Sequence, residues 1–114
     1  MKTFHVYLYG PECGALETSF EDAAARLEQM PRLYLEPDGS FVWTQSGGEQ
    51  QIFGMLYDAA NQLQYVELRG CCCRENWQQL VTAIRGATEH KLAVMSLPSR
   101  QLQDLQGFEN STFR

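Results

Sequence analysis

Four cysteines, Cys13 and the unbroken run Cys71, Cys72 and Cys73, are the residues of this chain whose type could most directly do chemistry. Four thiolates are a ligand set that zinc accepts in a tetrahedral site. The spacing opposes that use. Zinc motifs separate paired cysteines by about two to four residues so that the chain can wrap the ion, whereas consecutive residues of an extended chain point apart. A thiolate role is better founded, because Cys72 or Cys73 stands where a helix begins, beside Arg74, and a helix N-terminus and a cation both favour the charged sulfur. The base that such a nucleophile normally uses is harder to find. His5 and His90 are the two imidazoles, and no pattern brings either to the triplet. The plainer alternative is that the cysteines fill a strand-to-helix turn as small apolar side chains.

Glu12, Glu67, Tyr65 and Arg69 form a second group with acid–base character. Alternation along a strand also explains the last three as a solvated face carrying a cross-strand charge pair. The chain has no glycine-rich phosphate loop, no nucleophile elbow and no paired histidines at helical spacing. Gly47-Gly48 lies between two strand-like runs and reads as a turn. Neither a cofactor nor a metal is implied.

The elements that must hold these residues centre on 63–86, LQYVELRGCCCRENWQQLVTAIRG. Tyr65, Glu67 and Arg69 alternate with Val66 and Leu68, and Gly70 breaks the strand. Trp77, Leu80, Val81 and Ile84 then recur at helical spacing up to Gly86, which is suited to a C-terminal cap. Earlier in the chain, Phe4, Val6 and Leu8 alternate against His5, Tyr7 and Tyr9, and Gly10-Pro11 ends that strand. Thr18 or Ser19 caps a helix carrying Phe20, Ala23, Ala24 and Leu27 on one side, closed by Met30 and Pro31. Residues 32–36 and 41–45 flank the turn Pro37-Asp38-Gly39, and residues 50–57 and 63–69 flank the connection 58–62. Residues 92–97 make a last strand before Pro98.

The expected order is strand, helix, four strands, helix, strand. Its compact solution is an α+β fold of two layers, a mostly antiparallel sheet of about five to six strands with both helices on one face, akin to a split βαβ unit. Residues 1–98 are read as one domain. In the tail 99–114, Leu102, Leu105 and Phe108 suggest a short helix ending at Gly107, with disorder beyond Asn110.

At 114 residues and 44% hydrophobic, the chain can bury one core. Its net charge of −5 opposes a phosphate backbone, so no nucleic-acid partner is expected. The first residues lack the apolar run of a signal peptide, and no segment approaches the roughly 20 apolar residues of a membrane span. A cytosolic location with reduced cysteines follows as an expectation, which empties the glycosylation triplet at Asn110 of meaning.

With the helices on the aliphatic side, His5, Tyr7, Tyr9, Tyr65, Glu67 and Arg69 share the other face, and Trp43 is expected there with either Phe53 and Tyr57 or Ile52 and Leu56. Such a face is costly to leave wet. The reading is a binding or protein-interaction module, a homodimer first, with the chain's own tail or a small ligand as other covers. The alternative is a thiol-dependent redox protein or enzyme using the 71–73 turn.

Overall fold

Alternating apolar residues make β1 (Phe4–Tyr9) and β5 (Gln62–Cys71) the centre of the sheet in the computed structural model, which describes residues 2–113. They run antiparallel, with Phe4 opposite Gly70 and Tyr9 opposite Tyr65. Five further strands complete the sheet: β2 (Leu33–Leu35), β3 (Ser40–Thr44), β4 (Gln51–Ala59), β6 (Ala93–Ser96) and β7 (Gln101–Asp104). The order is β2-β3-β4-β5-β1-β6-β7, and every neighbouring pair is antiparallel. The α+β class and the antiparallel pairing agree with the sequence; the sheet has seven strands where five or six were expected.

Three helices, α1 (Phe20–Glu28), α2 (Arg74–Arg85) and α3 (Leu105–Thr112), all contribute to one buried cluster on a single side of this sheet. Ser19 caps α1 by accepting the Asp22 N–H at 3.1 Å. The start of α2 is served differently. Cys73 occupies the cap position without a side-chain bond to the helix, and its own N–H is taken by Oε1 of Gln50 at 2.8 Å. Trp77, Leu80, Val81 and Ile84 are buried as the spacing predicts, and Gly86, at φ 79°, turns the chain out of the helix. Arg26 of α1 then closes the carboxyl end of α2, donating to the carbonyls of Ala83 at 2.6 Å and Ile84 at 2.9 Å.

Register decides the faces of the outer strands. Phe41 lies opposite Gly54, and a Cβ at Gly54 would sit 2.0 Å from the Phe41 ring, so that ring lies over the glycine on the core side. Ile52 and Leu56 share this side and are buried. So does Trp43, against the expectation. It pairs with Ile52, is 3% exposed, and donates its indole N–H to the Pro31 carbonyl at 3.1 Å. Trp43 is a core residue, because an indole whose donor is satisfied inside gains more from burial than from water.

Two connections also differ. The β4–β5 loop is a two-residue turn, Ala60 and Asn61 at φ 54° and 63°, with the strands running up to it and a register shift beside Tyr57. The tail is neither a helix ending at Gly107 nor disordered past Asn110. Residues 101–104 pair with β6, Asp104 caps α3 through the Gly107 N–H at 2.7 Å, and the helix continues to Thr112. Phe108 and Phe113 pack on Phe4 and Trp77, so α3 belongs to the core side.

Candidate functional site

Because all three helices take the other side, one whole face of the sheet is left uncovered by the chain, and the pairing arranges its side chains in three rows. Tyr57, Tyr65 and Tyr9 make the first, Met55, Glu67, Tyr7, Met95 and Leu102 the second, and Tyr34, Val42, Phe53, Arg69 and His5 the third. The exposed large hydrophobic residues, Tyr34, Phe53 and Leu102, at 67%, 45% and 50%, all fall on this face.

The tyrosines touch one another. Tyr57 stacks on Tyr65 with centroids 4.6 Å apart, Tyr65 lies 5.1 Å from Tyr7 and 5.5 Å from Tyr9, and His5 meets Tyr7 edge-on at 6.4 Å. Packing against neighbours raises the hydroxyl pKa of Tyr9 by burial first, then by Tyr65, Tyr7 and Cys13. Tyr57 is raised by burial and then by the Glu67 carboxylate.

Glu67 is the polar hub. Its Oε2 accepts from Nε2 of His5 at 2.6 Å and its Oε1 accepts from the Tyr57 hydroxyl at 3.2 Å. The first contact requires a proton on Nε2, since an ionised carboxylate only accepts. The charge partner of Glu67 is therefore His5, one row along, and not Arg69. Arg69 instead lies over the Phe53 ring, its guanidinium carbon 5.6 Å from the centroid. A cleft of about 330 Å³ between Phe53, Met55, Tyr57, Glu67 and Arg69 lies on one side of it, and one of about 470 Å³ lined by Phe4, His5, Phe53, Arg69 and Leu97 on the other.

No protein family, curated protein or solved structure matches the chain. The site stands on its geometry alone.

Of the residues singled out in the sequence, His5, Tyr7, Tyr9, Tyr65, Glu67 and Arg69 are brought together on this face, and Trp43 is not. Phe53 and Tyr57 are the β4 pair that joins them. Met55, Met95, Leu102 and Tyr34 were missed, although the alternation of β4 carried a signal for Met55. Glu12 is exposed beyond the Tyr9 end, apart from Glu67.

The cysteines sit elsewhere. Cys13 follows the Tyr9 end of β1 and the triplet follows the Gly70 end of β5, so the antiparallel register sets them at opposite ends of the sheet. Cys72 is 2% exposed, and burial, with Cys73 and Cys71 beside it, pushes its thiol up to about 12. Of the two candidate thiols, Cys72 is the buried one and Cys73 the half-buried one. Cys73 borders a cleft of about 640 Å³ with Lys2, Arg74, Ser111 and Phe113, and no imidazole lines it. Glu75 is held below the usual carboxylate range by its own backbone N–H and then by the Cys73 thiol. Among the described residues no helix is long and apolar enough to cross a membrane.

Proposed function

We propose that the protein acts by binding another protein through the open face of its sheet, without a catalytic step of its own, and that a second copy of the chain is the first partner to test. The observation that carries this reading is the uncovered Tyr57, Tyr65, Tyr9 and Tyr7 cluster, flanked by Phe53, Met55, Met95 and Leu102. Aromatic residues and methionine are the types enriched where interfaces bury surface. Charge supports it too. The chain carries −5, yet Glu67 at the centre of the face is engaged by His5 and the same face carries the cation Arg69, so two acidic copies can meet there with little repulsion. An acidic chain also suits a protein partner better than nucleic acid, and its free thiols suit a reducing compartment such as the cytosol.

Light scattering on the full chain tests the reading. The expected mass is near twice the 13.0 kDa of one chain, falling to one chain in a Met55→Lys, Leu102→Lys double variant. A chain that is monomeric, and whose capture of proteins is indifferent to those two substitutions, would overturn it. A small-ligand pocket closed by the tail has less support, because 101–104 extend the sheet and α3 packs on its other side.

Cys73 supports a second reading, a thiol-dependent enzyme or redox protein. It occupies the N-cap position of α2 beside Arg74 and borders the cleft of about 640 Å³. Alkylation well below pH 8 is its signature, and uniformly slow alkylation would end it.

A further inference from the structure

The geometry points to the row Phe53, Arg69 and His5 as a subsite for the terminal carboxylate of a partner polypeptide that ends in an apolar residue. This rests on the reading of the open face as a protein-binding surface and names the chemistry that the surface selects.

Arg69 is directly opposite both Phe53 and His5, so the three side chains stand side by side across β4, β5 and β1. Arg69 is exposed, and its guanidinium carbon lies over the Phe53 ring, 5.6 Å from the centroid. The nearest acid is already used: Glu67 accepts from His5 and Tyr57. Among the described residues the Arg69 side chain makes no hydrogen bond and no ion pair, and the ion pairs present are His5 with Glu67 and His90 with Glu17. An unpaired guanidinium is the donor that a carboxylate fits in a bidentate way. Elsewhere the chain repels such a group, with 14 acidic residues against 9 basic.

A chain terminus fits better than an acidic side chain because of the two clefts. A C-terminal residue carries its carboxylate and its side chain on the same carbon. With the carboxylate on Arg69, the side chain enters the cleft of about 470 Å³ lined by His5, Phe53, Gly70 and Leu97. The preceding residues then leave across the cleft of about 330 Å³, beside Met55 and Tyr57. His5 keeps its Nε2 proton on Glu67 and borders the carboxylate without competing for it.

The test is a titration followed by amide NMR shifts on the full chain, using N-acetylphenylalanine, its amide and acetate. The acid is expected to give saturable shifts at Phe53, Arg69 and His5, with affinity about tenfold above that of the amide and of acetate. Arg69→Met, at an exposed position, is expected to abolish the difference while leaving the remaining spectrum in place; Arg69→Lys restores part of it. Equal binding of acid and amide, equal binding of acetate, absence of shifts in this row, or an unchanged preference in Arg69→Met each overturns the inference. Failure here leaves the light-scattering result intact, whereas failure of the broader reading shows in the Met55→Lys, Leu102→Lys variant.

Discussion

The indole nitrogen of Trp77 donates to Oε2 of Glu109 at 3.1 Å, a bond that joins the first turn of α2 to the middle of α3 inside the core. Glu109 is 8% exposed, and its other oxygen accepts from Gln78 at 3.2 Å. Arg74 adds to the clamp by donating to the carbonyls of Glu109 and Phe113 at 3.2 and 2.8 Å. Glu109→Ala leaves the buried indole N–H without an acceptor, so a loss of about 1–3 kcal/mol is expected in urea unfolding. Glu109→Gln retains an acceptor and loses less. A chain ending at Pro98 exposes Phe4 and Trp77, and light scattering is expected to show it associating or precipitating.

Arg26 holds the two long helices together. It donates to the carbonyls of Ala83 and Ile84 and to the Thr18 hydroxyl, satisfying acceptors that α2 cannot satisfy itself. Arg26→Ala is expected to lower stability by about 1.5–3 kcal/mol. Arg26→Lys recovers little, because an ammonium cannot reproduce the planar fork. Thermal or urea unfolding reads both.

Ala60 has φ 54° and Asn61 φ 63° in the two-residue turn between β4 and β5. Left-handed backbone costs an ordinary side chain about 1–2 kcal/mol, least at asparagine and glycine. The double substitution Ala60→Asn, Asn61→Gly installs an asparagine-glycine turn, which is expected to raise stability by about 1 kcal/mol, measured as a higher urea midpoint.

Alkali should weaken the fold from a definite pH upward. The Cys72 thiol is raised from 9.0 to about 12, so the folded chain keeps a proton that the unfolded chain gives up in that window. Its contribution is therefore complete below pH 9.0 and is lost as the pH climbs toward 12. Tyr9 and Tyr57, raised from 10.0 by burial first, act with the same sign above that pH. The urea midpoint is expected to fall between about pH 8 and about pH 10.5, and by less in Cys72→Val. In the native state Cys72 should be the last of the four thiols alkylated and the exposed Cys13 among the first.

Much of this architecture is written in the local pattern. Phe4, Val6 and Leu8 against His5, Tyr7 and Tyr9, and Val66 and Leu68 against Tyr65, Glu67 and Arg69, divide aliphatic from polar-aromatic residues so cleanly that a period of two assigns both faces. Trp77, Leu80, Val81 and Ile84 define a helix stripe in the same way. The helices had to cover the aliphatic side, and so the His5, Tyr7, Tyr9 and Tyr65 face was legible from sequence.

Only the tertiary structure decided the rest. Both faces of β4 are apolar, Ile52 and Leu56 on one and Phe53, Met55 and Tyr57 on the other, so alternation shows two faces without saying which is inside. The fit of the Phe41 ring over Gly54, with Trp43 buried beside Pro31, settles it through a contact between different strands. The tail misled for a similar reason. Leu102, Leu105 and Phe108 share a helical spacing, but Leu102 extends the sheet beside Met95 while Phe108 enters the core against Trp77. Local spacing records what a segment can bury; which side it buries depends on partners that the fold alone brings near.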